Sequence, residues 1–334
     1  MVTKKVTLQE IAEMAGVSIA TVSRVINQNG RFSKETEQRV KKIIQKYDYR
    51  PNQMARSLRV KKGKVVGIVV PDVTNEFFAR MSLELQLQLL KHDYVAIICN
   101  TNESREIELT HLSMLKSQLV SGLIYITHDI IEEKSSLIVP TIYIDRQPIT
   151  TGLNNGHVFI ESENIQGGYM AVKHLIERGC RHIAIGFLRG SISSHLSRYA
   201  GYKKALNEAG IAYDDRLVTS TDVVNFEEGY KLTKLLLEKQ HNIDGIFYTA
   251  DILALGALKA LSENGINVPE HIKVIGFDDI SASAYSTPPL TTIHQSVDKI
   301  ADLAVKKLTS MMDEEEIDKF IYNIPVSLVE RGSA

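Results

Sequence analysis

From Leu8 the apolar positions fall at Leu8, Ile11, Ala12 and Ala15, the i, i+3, i+4, i+7 spacing of a helix that buries one face. Thr7 with Glu10 three residues on is a capping box, in which each side chain satisfies an orphan backbone N–H, so the helix starts there. Gly16 stops it, and Ser18 caps a second helix, Ser18 to Asn27, so close behind that the two must meet across a tight turn. That is helix-turn-helix geometry. The second helix turns Val22, Val25 and Ile26 inward and shows Ile19, Ala20, Ser23, Arg24 and Asn27 on its other side. A third helix opening at Ser33 is predicted to bury Val40, Ile43, Ile44 and Tyr47. Pro51 then disfavours helix at Arg50, and the run Asn52 to Arg59 that follows is long enough for about two helical turns and too short to stand alone.

Past Lys61-Lys62-Gly63-Lys64 the pattern changes to short β-rich runs between helical stretches. Strands are predicted at 65–70, 94–99, 122–127, 140–144, 158–160, 182–187, 245–249 and 274–277. This alternation predicts βαβ units and parallel sheets covered on both faces, and about ten such units suit two sheets better than one. Leu83, Leu85, Leu87 and Leu89 alternate as a strand would, yet residues 79–92 are rich in helix formers and lie between two strands. Read as a helix, the segment has one apolar stripe at Met81, Leu85 and Leu89 that can cover a sheet. Its second stripe, Leu83, Leu87 and Leu90, wants another partner: a neighbouring subunit or a second internal layer.

Charge divides the chain at the same place. The net charge is −1, but residues 1–64 carry +10 and the remainder −11, so a basic module is joined to an acidic body. No apolar run approaches the roughly 20 residues needed to span a bilayer, and the N-terminus has no apolar signal-like core, which predicts a cytoplasmic protein with no membrane association. Cys99 and Cys180 have no neighbouring cysteine, which excludes a disulfide framework or a CxxC zinc site and predicts two buried thiols.

Two sets of residues could carry chemistry. On the second helix, Arg24 can donate two hydrogen bonds to guanine, Ile19 can touch a thymine methyl, and Thr21 and Ser23 suit phosphate contacts; with Ser18, Ala20 and Asn27 they make the candidate DNA-contacting surface. Just past the predicted strands stand Asp72, the segment Asn75 to Phe78, Asn100, Asp145-Arg146, the segment Glu161 to Asn164, Asp251, Asp278-Asp279 and His294-Gln295. Ligands of open parallel sheets bind beyond these strand ends, and carboxylates, amides, an arginine and aromatic rings are what a sugar requires. Each alone could equally cap the next helix; their recurrence at strand after strand points to a site. No GxGxxG, GxxxxGK[ST], HExxH or GxSxG stands at a strand end, so neither cofactor, metal nor catalytic residue is assigned.

Thr7 to Asn27 (TLQEIAEMAGVSIATVSRVIN) and Tyr49 to Leu58 (YRPNQMARSL) resemble the DNA-binding headpiece and hinge of the LacI/GalR family of bacterial repressors. The resemblance, shared with periplasmic sugar-binding proteins, runs on through NEFF, Asp145-Arg146-Gln147, RYAGY from Arg198, LALGA from Leu253, GFDD from Gly276 and TTIHQ from Thr291. It implies an all-α helix-turn-helix headpiece (1–50), a hinge helix and linker (51–64), and an α/β two-lobed periplasmic-binding-protein-like effector domain with parallel sheets (65–334). The chain would cross between lobes near Glu163, Leu290 and Tyr322. Lobe 1 would then span about 65–162 and 291–322, and lobe 2 about 163–290 and 323–334. Ile19, Ala20 and Arg24 become base readers, while Asn52, Ala55, Leu58 and Arg59 belong to hinge helices that pair in the minor groove, with Leu58 as the wedge. Asn75, Phe78, Arg146, Asp278 and Gln295 would contact effector, and Asp72, Phe77, His195 and Asp251 join them as candidates.

Leu196 and Ala250 stand where many sugar-binding members have arginine and asparagine; His195, Ser194 or Tyr248 could compensate. No leucine heptad follows Met312, so a homodimer is expected. The implied partners are a pseudo-palindromic operator and a sugar such as ribose or fructose, or a sugar phosphate. A phosphocarrier protein is a further candidate, as co-regulator. The function implied is a sugar-responsive transcription repressor. A solute-binding protein or a sugar-modifying enzyme on the same two-lobed fold is the alternative, opposed by the basic headpiece.

Overall fold

The computed structural model describes residues 6–49, 63–126, 139–145, 157–190, 193–239 and 242–334. The chain divides into two units, Met1–Gly63 and Lys64–Ala334. In the first, helices α1 (Leu8–Ala15), α2 (Ile19–Asn27) and α3 (Lys34–Lys46) enclose Ile11, Ala12, Ala15, Val22, Val25 and Val40. The capping box forms: Thr7 N–H donates to Glu10 Oε2 at 2.7 Å and Glu10 N–H to Thr7 Oγ1 at 3.2 Å. Gly16 ends α1 at φ +63°, a left-handed conformation that a side chain disfavours. Two expectations change here. Tyr47 caps α3 and is exposed, and Tyr49, two residues on, packs on the mini-core instead. Ile19 is half-buried against the same core rather than standing free.

The second unit holds two six-stranded sheets. The first runs β11-β5-β4-β3-β1-β2 and is parallel throughout, with β1 (Val65–Val70), β2 (Val95–Asn100), β3 (Gly122–Tyr125), β4 (Thr141–Ile144), β5 (Val158–Ser162) and β11 (Ile321–Ile324). The second runs β12-β10-β9-β8-β6-β7, with β6 (Ile183–Leu188), β7 (Val218–Thr221), β8 (Gly245–Tyr248), β9 (Lys273–Asp278), β10 (Thr291–Gln295) and β12 (Val326–Val329). Its edge strand β12 pairs antiparallel with β10, the one departure from the parallel sheets expected. β1 is buried along nearly its whole length, as its unbroken apolar run VVGIVV requires.

On the first sheet, α4 (Glu76–Lys91) turns Met81, Leu85 and Leu89 into the core at 0% exposure, while Leu83, Leu87 and Leu90 stay exposed. The leucine-rich run is therefore a helix, with its second stripe left open. α5 (Arg105–Ser117) covers the other face, and α11 (Val297–Met312) packs beside α4. The second sheet carries α6 (Asn164–Glu177), α7 (Ser193–Glu208), α8 (Phe226–Lys239) and α9 (Asp251–Glu263), with the short α10 (Ser281–Tyr285) after β9. Because β10 belongs to the second sheet, the chain crosses back after Gln295 and not near Leu290, and its last crossing falls between Ile324 and Val326 rather than near Tyr322.

Helices α6 and α7 touch backbone to backbone. A Cβ on Gly168 would lie 2.1 Å from the carbonyl oxygen of Arg198, and one on Gly201 would lie 2.2 Å from that of Ile165. Gly201→Ala must drive the helices apart, at an expected cost of about 1–3 kcal/mol or more. Thermal unfolding should show a lowered midpoint, and an unchanged one would refute the close packing.

Candidate functional site

On α2, Ser18 caps the helix, with Thr21 N–H donating to its Oγ at 3.2 Å and the two hydroxyls 2.9 Å apart. Ala20 and Arg24 are exposed, and Ser23 and Thr21 partly so. The stem of Arg24 lies over Gly30, where a Cβ would come within 3.2 Å of Arg24 Cδ. The expectations for Asn52, Ala55, Leu58, Arg59 and Arg146, and for the side chain of Asn27, lie outside the described residues.

In the second unit the two lobes meet around Arg198, which rises from α7 and is only 3% exposed. Its Nε donates to Asn164 Oδ1 at 2.9 Å and Nη1 to the Thr249 carbonyl at 2.7 Å, and the guanidinium lies 3.7 Å from the centre of the Phe277 ring. Two carboxylates flank it: Asp278 at 3.5 Å from its own lobe, and Asp145, at the end of β4 in the first lobe, at 3.6 Å. Gln295 donates to Asp278 Oδ1 at 2.7 Å and accepts from Ser162 Oγ at 2.6 Å, so two of the crossing segments are bonded to the same cluster. Ser194 reaches across to Asp145 Oδ2 at 3.4 Å. Asn164 Nδ2 is buried with no hydrogen-bond partner among the described residues. Burial pushes the Asp278 carboxyl well above its ordinary range, against the pull of Arg198 and with Asp251 and Asp145 adding to the rise.

Of the strand-end residues singled out in the sequence, Asp145, Ser162, Asn164, Asp278 and Gln295 come together in this cluster. His195 is buried nearby, its Nδ1 2.8 Å from Thr249 Oγ1. Others serve the framework. Asp72 caps its own turn, accepting from the N–H and Oγ1 of Thr74 at 2.8 and 2.7 Å. Asn75 caps α4 by accepting from Phe77 N–H. Phe77 and Phe78 pack edge to face within the first core, so neither offers an open ring face. Asp251 is fully buried, and its carboxylate receives Thr292 Oγ1 at 2.5 Å, Ser283 Oγ at 2.7 Å and Ile280 N–H at 3.0 Å. It is a structural hub and not the effector ligand expected. Leu196 is exposed, and Tyr248 is buried with its hydroxyl 2.6 Å from Thr233 Oγ1, so Tyr248 cannot compensate for missing ligands. Arg198 was not among the candidates, and Asp145 and Asn164, though named at strand ends, were not among the residues that the resemblance assigned to effector. The position of Asp145 and Asn164 at strand ends was the available signal; Arg198, inside a helix, offered none beyond the RYAGY motif.

The cluster offers donors and acceptors side by side but no activated nucleophile, which suits binding rather than bond breaking. Residues 7–52 match the family model described as bacterial regulatory proteins, lacI family, and residues 172–334 match a periplasmic binding protein-like domain. The ribose operon repressor of Halalkalibacterium halodurans is 34% identical over 328 residues, covering 97% of this chain and 96% of that protein. The chain belongs to the lacI family of bacterial regulatory proteins. A second relative of this lacI-family regulator, the HTH-type transcriptional repressor PurR of Pasteurella multocida, is 33% identical over 98% of each chain. Among solved structures, a Lac repressor dimer bound to operator and the anti-inducer ONPF superposes with a TM-score of 0.87 at 27% identity over 99% of each chain. A CelR–cellobiose complex does so at 0.74, with 26% identity over 98% of this chain and 100% of that one. The ribose operon repressor, PurR and Lac repressor are repressors and CelR a transcriptional regulator, and the lacI-family chain is a DNA-binding transcription regulator, not an enzyme. Among the described residues no helix is long and apolar enough to cross a membrane.

Burial raises the Asp251 carboxyl from 3.8 to about 7, against hydrogen bonds from Thr292, Ser283 and Ile280 that lower it. Because the folded state holds this proton more tightly than the unfolded chain, its contribution to stability is complete below about pH 3.8 and is lost as pH rises through about 7. Asp251→Asn cannot ionise, so urea melts at a series of pH values should show a shallower fall across this window than in the parent, with the share due to Asp278 remaining. An identical slope would count against the buried, protonated Asp251.

Proposed function

We propose that this regulator represses transcription as a cytoplasmic homodimer bound to a pseudo-palindromic operator, and that a small neutral sugar held at Arg198 changes its hold on DNA. The observation that carries the reading is the buried Arg198, placed between a carboxylate of each lobe and backed by Gln295. A sugar hydroxyl both donates and accepts, so it can enter such a network at Asp145, Asp278, Arg198 or the idle Nδ2 of Asn164 without leaving a buried charge unpaired. Ribose is the first candidate, because the ribose operon repressor is similar over nearly the whole chain. Ligand that binds across the two lobes favours one relative arrangement, and by reciprocity DNA and effector then change each other's affinity by the same factor.

The headpiece would set Arg24, Ala20 and the partly covered Ile19 against base edges in the major groove, with Ser18, Thr21, Ser23 and Asn27 at phosphates. Hinge helices containing Asn52, Ala55, Leu58 and Arg59 would pair in the minor groove. The exposed stripe of Leu83, Leu87 and Leu90 on α4, with Val95 and Ile98 on the edge strand β2, supplies an apolar face for a second subunit.

Two measurements test this. In a thermal-shift screen over pentoses, hexoses and their phosphates, D-ribose should raise the midpoint with its occupancy, and Gln295→Ala should need a higher concentration for the same rise. No response to any neutral sugar would overturn the effector reading. Arg24→Ala should weaken operator binding by about 1–3 kcal/mol and relax the preference at one base pair, read by fluorescence anisotropy with a set of substituted duplexes. An unchanged base preference would remove Arg24 from the groove.

A further inference from the structure

The turn at the end of β9, residues 278–281, is tied down at every position, alternately to its own lobe and to the other. Asp278 and Asp279 both take positive φ, 118° and 54°, a conformation that side chains rarely adopt and that must be held by the surroundings. Asp278 binds Gln295 and Arg198. The Asp279 carboxylate faces away from that cluster, receiving Arg331 Nη2 at 2.6 Å on one oxygen and lying 2.9 Å from His294 Nδ1 on the other. Its backbone carbonyl, by contrast, accepts from Arg80 on α4 of the first lobe at 3.0 Å. Ile280 gives its N–H to Asp251 but puts its side chain, 4% exposed, into the hydrophobic core of the first lobe. Ser281 N–H donates to Glu76, again on α4, at 2.6 Å.

Arg331 sits just past the last strand and is anchored at a second point, Nη1 to the Leu290 carbonyl at 2.9 Å. Ser333, two residues on, is fully buried, accepting from Thr291 N–H and donating to the Val274 carbonyl. The end of the chain is thus fastened to the second sheet and aims one guanidinium at Asp279.

We propose that Arg331 is a positioning residue: by clamping Asp279 it holds residues 278–281 in the one backbone shape that presents Asp278 to Arg198 and, at the same time, the Asp279 carbonyl, Ile280 and Ser281 to the first lobe. Occupancy of the cluster and docking of the lobes are then governed by the same four residues. A ligand pulling on Asp278 moves the acceptor of Arg80 and the donor to Glu76, while Arg331, whose hydrogen bonds among the described residues go to Asp279, Leu290 and Thr291, sets how stiffly they move together. The clamp and the docking stand on the geometry alone; only the link to ligand rests on the sugar reading given above.

Hydrogen exchange read by mass spectrometry on the full chain, without any sugar, tests the clamp. In Arg331→Ala the amides of Ile280 and Ser281 and those of the first turn of α4 should exchange at least about tenfold faster, the second group lying in the first lobe. Arg80→Ala should release the same amides, and the double variant should exchange no faster than the faster single, because both act through one turn. Arg331→Lys, which keeps the charge, should restore part of the protection. Faster exchange confined to residues 288–294, additive single variants, or an α4 that does not respond would each overturn the proposal. D-ribose then separates the two readings: if it protects the parent, Arg331→Ala should weaken that protection without altering Gln295. If ribose protects nothing while the exchange pattern is as described, the clamp stands and the sugar reading falls.

Discussion

One buried cation organises the effector half of this protein. Arg198 has lost nearly all its hydration, and a guanidinium in that position is tolerable only if its donors are matched. The matching draws in a carboxylate from each lobe, an amide, a backbone carbonyl and an aromatic face. Removal of any one of these leaves part of the guanidinium unmatched, so the surrounding elements have little freedom. Helix α7 must lie close on α6, which Gly168 and Gly201 permit, and the crossing segment at Gln295 must sit beside Asp278. Strain at Asp145, Asp278 and Asp279, all at positive φ, is borne where the cluster demands it.

The same contacts tie the two lobes to one another. Asp145 and Asp278 sit on different sheets yet share one arginine, and the turn behind Asp278 inserts Ile280 into the opposite core. A site assembled from two bodies is sensitive to their relative position in a way that a site within one body is not. Packed interfaces of this kind shift between arrangements rather than deform continuously.

Much of this was legible along the chain. Helices α1 to α4 carry periodic apolar positions and explicit caps, and those are local properties: Thr7 and Glu10, Gly16, Ser18 and Ser33 act within a few residues of themselves. β1 was equally plain, since a strand buried on both faces must be apolar throughout. β7, with the sequence VTST, was not predicted as a strand: it lies at the edge of its sheet, where little demands an apolar side chain. The assignment of β10 to a lobe failed for a different reason. TTIHQ was not among the predicted strands either, and which sheet it joins depends on pairing with β9 and β12, through space rather than along the chain.

The amino-acid sequence by itself determined the headpiece, the alternating α/β body, the opposite charges of the two and the family to which they belong, because each follows from short-range periodicity or from motifs of a few residues. Only the tertiary structure decided which polar residues at the strand ends meet. Asp251 and Asp278 look alike in the sequence, each an acid directly past apolar residues. One is enclosed by Thr292, Ser283 and Ile280 and holds the framework together; the other faces Arg198. Their roles differ because electrostatic energy depends on distance through space and on exclusion of water, and neither quantity is written in the order of residues along a chain.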